Sequence, residues 1–293
     1  MTAANKSGAS GVAQDMVTDV QHTPTQLAAF REARRRYVTS PQGNLSLVNT
    51  EWITGDPATG QTSYGVAGTW FPLPAGESGL RLEAAAADGL SVDGVPVDGS
   101  VVVRGKDSDR PSEVRFGDTV TGYVVASEEG TYALRVWDAC SDANRDFGRI
   151  DAFDFDPSWV VEAQFTPIQG GRAIGIEHLK DGGKTRERVV PAEITFTKDG
   201  ADVSLAAFQD DGGLLLVFSD ATSGDSTYGV GRFMRVVPDA DGTITLDFNR
   251  AYLPPCAFSY HFNCPMPPAQ NRLSFPVEAG EKNVLNAQGA LLH

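Results

Sequence analysis

Short apolar runs recur along most of this chain at roughly ten-residue spacing, each closed by Gly, Pro or Asp, and that rhythm belongs to sandwiches and barrels. Gly94, Gly99, Gly117, Gly130, Gly200, Gly213 and Gly242 mark successive turns. Between them the sequence predicts strands over Val101–Arg104, Thr119–Val125, Tyr132–Val136, Trp159–Phe165, Glu193–Thr197, Val203–Ala207, Leu214–Phe218, Tyr228–Val237 and Thr243–Phe248. Leu214–Phe218 is continuously apolar, so both of its faces are expected to be covered. The Ala-rich stretch Leu80–Leu90 is confined by Gly79 and Gly89 and stays unassigned.

One helix interrupts this pattern. Thr23 reads as an N-cap, Pro24 as the first helical residue, and Gln26 completes a capping box. Leu27, Phe30 and Tyr37 fall near helical spacing, and Ser40-Pro41 ends the element. Arg34, Arg35 and Arg36 then read as a solvated helix C-terminus suited to the macrodipole, in preference to an anion site.

The expected fold is therefore mainly β: two packed antiparallel β modules, sandwich- or barrel-like, with one N-terminal helix. The 293 residues suit one large or two modest domains. We expect a disordered tail over residues 1–22, a helix plus sandwich-like module over 23–150, and a C-terminal β module over 151–293. The polar, strand-poor stretch Asp138–Asp156 sets that boundary. A single large β domain with shared strands is the alternative.

Charge and composition exclude several classes. Lys and Arg number 24 against 38 Asp and Glu, a net charge of −14. So acidic a chain is ill suited to a nucleic-acid duplex or an anionic membrane surface. The N-terminal segment lacks the basic and apolar regions of a signal peptide, and no apolar stretch is long enough to span a bilayer. The chain reads as a soluble cytoplasmic protein, with oligomeric state left open.

The second half carries a dense polar block. It runs from Phe218-Ser-Asp220-Ala-Thr222 through Thr227-Tyr228-Gly-Val-Gly231-Arg232 to Asp247-Phe248-Asn249 and Tyr252. Two Cys-containing turns, Asn271 and Ala279-Gly-Glu281-Lys282 follow. This block resembles the bacterial domain-of-unknown-function family 1684. In that family F-x-D-x-T-x-G-x-x-T-Y-G-x-G-R precedes D-F-N-x-A-Y-N-P-x-C, C-P-[LI]-P-P-x-x-N and A-G-E-K. The match covers residues 218–282, with Leu253 standing where Asn is usual and Met266 where Leu or Ile is usual. The resemblance implies a site without naming a reaction.

Candidate ligand-binding residues are Asp220, Thr222, Thr227, Tyr228, Arg232, Asp247, Asn249 and Tyr252. Asp, Thr and Ser organise turns, and the same groups could also cradle an anion or a sugar. The segment Pro238–Gly242 reads as a hairpin turn joining the strands of Arg232 and Asp247. Burying Arg232 unpartnered on the Ile244–Leu246–Phe248 face would cost about 3–5 kcal/mol. The expected register therefore sets Arg232 beside Asp247 or Asn249, with Tyr228 on the same face. There Arg232 is either a register-fixing ion pair or a fork for a substrate carboxylate or phosphate. In an open cleft these groups suit acid/base chemistry on a small polar or anionic molecule. Buried and mutually satisfied, they would be the framework of a non-catalytic binding or interaction protein. Enzyme and non-enzyme readings both stand at this point.

Cys256, His261 and Cys264 do not make a familiar zinc pattern, because no fourth ligand is evident. Buried structural thiols are the expectation, with a disulfide or a reactive Cys as alternatives. No metal and no cofactor is expected.

Overall fold

The computed structural model describes residues 22–210, 213–239 and 241–292. The tail expectation for residues 1–22 thus lies, His22 apart, outside the described residues. The chain is mainly β, with several antiparallel sheets and one main helix, α1 (Pro24–Val38). It divides into two compact units. Among the described residues, one is Tyr37–Arg145; the other joins residues 22–36 to those from Asp146 onward. Among the described residues no helix is long and apolar enough to cross a membrane.

The first unit holds β1 (Leu47–Trp52), β2 (Gln61–Thr62), β3 (Thr69–Pro72), β4 (Leu80–Ala84), β5 (Ser91–Val92), β6 (Val95–Pro96), β7 (Gly99–Val103), β8 (Val114–Arg115), β9 (Val120–Ala126) and β10 (Tyr132–Asp138). A six-stranded sheet runs β1-β10-β9-β8-β5-β6, and a four-stranded sheet runs β2-β3-β4-β7. Leu80 and Leu82 of β4 alternate with Arg81 and Glu83, and they share one core with Val124, Leu134 and Val136 of the other sheet. That alternation is what a two-sheet sandwich demands. A short helix, α2 (Asp142–Asp146), follows.

The second unit holds β11 (Phe147–Ala152), β12 (Val160–Glu177), β13 (Thr185–Lys198), β14 (Ala201–Asp210), β15 (Gly213–Phe218), β16 (Arg232–Val236), β17 (Thr243–Asp247) and β18 (Glu281–Asn286). β11 pairs with β18, and the rest form a nearly closed, barrel-like sheet in the order β16-β15-β14-β13-β12-β17. Each strand of that sheet sends alternate residues inward, among them Ala163, Ile194, Leu205, Leu216, Met234 and Leu246. Phe248 sits among them, with ring centroids 5.7 Å from Trp159, 5.9 Å from Phe196 and 5.6 Å from Phe218. Leu214–Phe218 is covered on both faces: Leu214, Leu216 and Phe218 face the barrel core, and Leu215 and Val217 join a second cluster with Phe233, Cys256 and Cys264.

Two expectations change. The sequence reading assigns the helix to the first module, whereas α1 up to Arg36 belongs with the second unit. Leu27 and Phe30 are buried, and so is Arg34, which completes the same helical face. Thr23 does cap α1, accepting from the Gln26 amide at 3.4 Å.

The second change concerns the hairpin. Asp239–Thr243 does make a local turn, with the Asp239 amide donating to the Thr243 carbonyl at 2.8 Å. Yet β16 pairs with β15, β17 pairs with β12, and the two end up at opposite limits of the strand order. The edge of β16 that a hairpin partner would occupy is taken by Tyr252. Phe233 and Tyr252 exchange two backbone hydrogen bonds of 2.8 Å.

Candidate functional site

The loop after β15 is organised by its own side chains. One Asp220 oxygen, Oδ1, accepts from the Thr222 amide at 2.9 Å, the Thr222 hydroxyl at 2.7 Å and the Val277 amide at 3.1 Å. The Thr222 and Thr227 hydroxyls meet at 2.9 Å. The Thr222 carbonyl accepts from the amides of Asp225, Ser226 and Thr227. The bonds from Thr222 to Asp220 are those of an Asx-turn, which Asp makes for local reasons, whereas the bond from Val277 comes from 57 positions further along the chain. The chain re-enters the barrel at Gly231, whose φ is +97° and where a Cβ would stand 2.3 Å from the Phe218 carbonyl oxygen. Only glycine fits there.

Pairing of Phe218 with Arg232 then brings Asp220, two residues further on, to the guanidinium. Arg232 Nη2 lies 2.7 Å from Asp220 Oδ2, and both side chains are fully excluded from solvent. The guanidinium also donates to the carbonyls of Val277, at 2.8 Å, and Ala279. It stands 5.4 Å from the Phe218 ring centroid. Burial by itself would raise the Asp220 carboxyl. The Arg232 charge and the Thr222 hydrogen bonds outweigh it and hold the group below the usual carboxylate range. Burial lowers Arg232, opposed by the same ion pair.

The expected pairing of Arg232 with Asp247 or Asn249 is therefore corrected. Arg232 lies on the barrel-interior face with Met234 and Val236, the face shared by Ile244, Leu246 and Phe248. The burial penalty that argued against this register is met by Asp220. Asp247 faces elsewhere: its Oδ2 is 2.9 Å from His22 Nδ1, and its Oδ1 accepts from the Asn249 amide and side chain at 3.1 and 3.0 Å. Asn249 in turn exchanges bonds of 2.9 and 3.0 Å with the backbone of Asp156. It latches the segment entering β12 and is 2% exposed.

Tyr228 and Tyr252 are likewise apart from Arg232, in the cluster that includes Phe233. The Tyr228 hydroxyl donates to the Cys256 carbonyl at 3.1 Å. Burial raises the Tyr228 phenol, with Cys256 adding to the effect, and pushes Tyr252 up to about 12. Both phenols keep their protons at neutral pH.

Two residues of the same block, and one of α1, carry roles that the sequence reading missed. Glu281 forms a bidentate pair with Arg34 at 2.9 and 3.0 Å, and it accepts from the Leu253 amide at 2.7 Å. Arg34, read from sequence as solvated, is 5% exposed and lies 4.8 Å from the Tyr252 ring centroid. Asn271, fully buried, accepts from the Ala206 amide at 2.8 Å and donates to the carbonyls of Ala206 and Val217 at 2.9 and 2.8 Å. It bridges β14 and β15 beyond Phe208–Leu215, where their ladder stops. The positions of Asn271 and Glu281 in the P-P-x-x-N and A-G-E-K motifs were the available signal.

Cys256 and Cys264 are buried together, and the Cys256 amide donates to Cys264 Sγ at 3.2 Å. His178 and Leu179 run beside this turn, with the Leu179 amide 2.9 Å from the Cys264 carbonyl. Among the described residues no group of three or more His, Cys, Asp or Glu side chains is gathered to hold a metal ion.

The family comparison covers this block. Residues 145–282 match the family described as "Protein of unknown function (DUF1684)". The solution NMR structure of an uncharacterized protein from Haloarcula marismortui is 37% identical. The likeness covers 48% of this chain and 80% of that one, with a TM-score of 0.40. Nothing among curated proteins matches the sequence.

Proposed function

We propose from the geometry of its motif block that this protein, whose residues 145–282 match the DUF1684 family, a name that assigns no activity, is a non-catalytic binding or interaction protein. In this reading the block is the framework of the barrel. One observation carries it: the Asp220–Arg232 pair is fully buried, with every Asp220 oxygen and both terminal guanidinium nitrogens engaged by the protein itself. A general acid or base must reach the proton it transfers, and a substrate-binding Arg must offer its fork to the ligand. Neither group does so. Asp247, Asn249 and Glu281 are spent in the same way on backbone and side-chain partners.

Titration with phosphate, acetate and neutral sugars, followed by backbone amide shifts, tests this reading. Shifts confined to surface residues, or none, agree with it. Saturable shifts centred on the amides of Asp220, Thr222 and Arg232 would restore the small polar or anionic ligand site instead.

A further inference from the structure

We infer that Cys256 and Cys264 form a reversible intramolecular disulfide by exchange with a small-molecule disulfide. The two residues lie on one irregular turn, seven residues apart between them, bracketed by Pro254-Pro255 and Pro265. Closing so short a loop asks for little rearrangement elsewhere. Their side chains are hydrogen-bond partners, and the Cys256 amide donates to Cys264 Sγ at 3.2 Å. Both belong to one apolar cluster, packed with Ile176, Val190 and Phe233. In that cluster a disulfide, which is apolar, replaces two polar thiols.

The neighbourhood also favours one sulfur as the attacker. The hydrogen bond from Cys264 lowers the Cys256 thiol, burial opposes it, and Tyr228 and the charge of Lys180 add to the lowering. Thiolate character and access together govern the rate of exchange, and with Cys256 only 2% exposed the Cys256–Cys264 turn has to open for the small disulfide to reach it. The Cys256 thiolate attacks one sulfur of the small disulfide and releases its other half as a thiolate, which takes up the proton that Cys256 gave up. The Cys264 sulfur then attacks Cys256 in the mixed disulfide, forms the internal bond and expels the second half, protonated by the hydrogen from Cys264. Two protein thiols are oxidised, and one small disulfide is reduced to two thiols.

A mass measurement on the full chain carrying Cys140→Ser tests this, since Cys140 is exposed and would react by itself. The protein is equilibrated in glutathione buffers of rising disulfide content, acid-quenched, alkylated and digested with trypsin. No Lys or Arg separates Arg250 from Arg272, so both cysteines fall in one peptide, 251–272. With reduced and oxidised glutathione at about equal concentrations, more than half of that peptide should escape alkylation and weigh about 2 Da less than the dithiol. In Cys264→Ser the reaction should stop at a glutathione adduct on Cys256. A wild-type peptide that stays doubly alkylated at every ratio, or that accumulates the adduct without closing, overturns the proposal.

Discussion

Arg232 is joined to Asp220 at 2.7 Å inside the barrel, with both side chains at 0% exposure, and not to the Asp247 that follows it in sequence. Removing one partner leaves the other charged and buried. Asp220→Ala should therefore lower stability by about 3–5 kcal/mol, and Arg232→Ala by a similar amount. The double substitution Asp220→Leu with Arg232→Met removes both charges and should recover a large part of the loss. Urea unfolding followed by tryptophan fluorescence checks this, with Trp159 in the barrel core as reporter. Additive losses in the double variant would refute the coupling.

The same pair sets an acid limit. The folded Asp220 carboxyl lies below its unfolded value, so its stabilisation is full above the unfolded pKa of about 3.9 and is lost as pH falls through the lower folded value. The wild-type urea midpoint should drop across that window. In Asp220→Asn the drop should be shallower, from a lower starting stability at neutral pH. Equal slopes in the two proteins would remove Asp220 from the acid transition.

Arg34 and Glu281 fix α1 to the second unit through a buried bidentate pair. Glu281→Gln should cost about 3–5 kcal/mol and raise hydrogen exchange across the helix from Gln26 to Arg36. Arg34→Lys should loosen the helix as well, because an ammonium cannot supply the planar fork or stack on Tyr252. Unchanged protection of the helix amides in Glu281→Gln would show that apolar contacts of Leu27 and Phe30 suffice.

Asn271 supplies both an acceptor and donors between β14 and β15. Asn271→Ala strands a buried amide and two carbonyls, at about 1–3 kcal/mol each if water does not enter. Asn271→Asp keeps the acceptor and loses the donors, so it should also fail. Exchange of the Ala206 amide is the direct readout: it should accelerate in the Ala variant and stay slow in the Asp variant.

The elements were legible because they are local. The cap at Thr23, the turns, and the continuous apolar run of β15 all depend on residues within a few positions. Except at Gly213, every turn glycine named from the sequence has a positive φ. The site was less legible because alternation says which side chains share a face, not which strand lies alongside. The local turn at Asp239–Thr243 looked like a hairpin, and only the occupation of the β16 edge by Tyr252 shows otherwise. A register argument that knew of Asp220 would have accepted a buried Arg232. Arg34 was misread for the same reason, since its partner lies 247 residues away.

That separation has a consequence for synthesis. Residues 22–36 are synthesised before residues 37–145, yet their anchor, Glu281, is made only after that whole stretch. At about 5–20 residues per second the helix waits for its partner while the whole sandwich is translated and free to fold. The Arg34–Glu281 pair thus forms only after residue 281 has been made. A chain released short of Glu281 would leave the Arg34 guanidinium without its carboxylate partner.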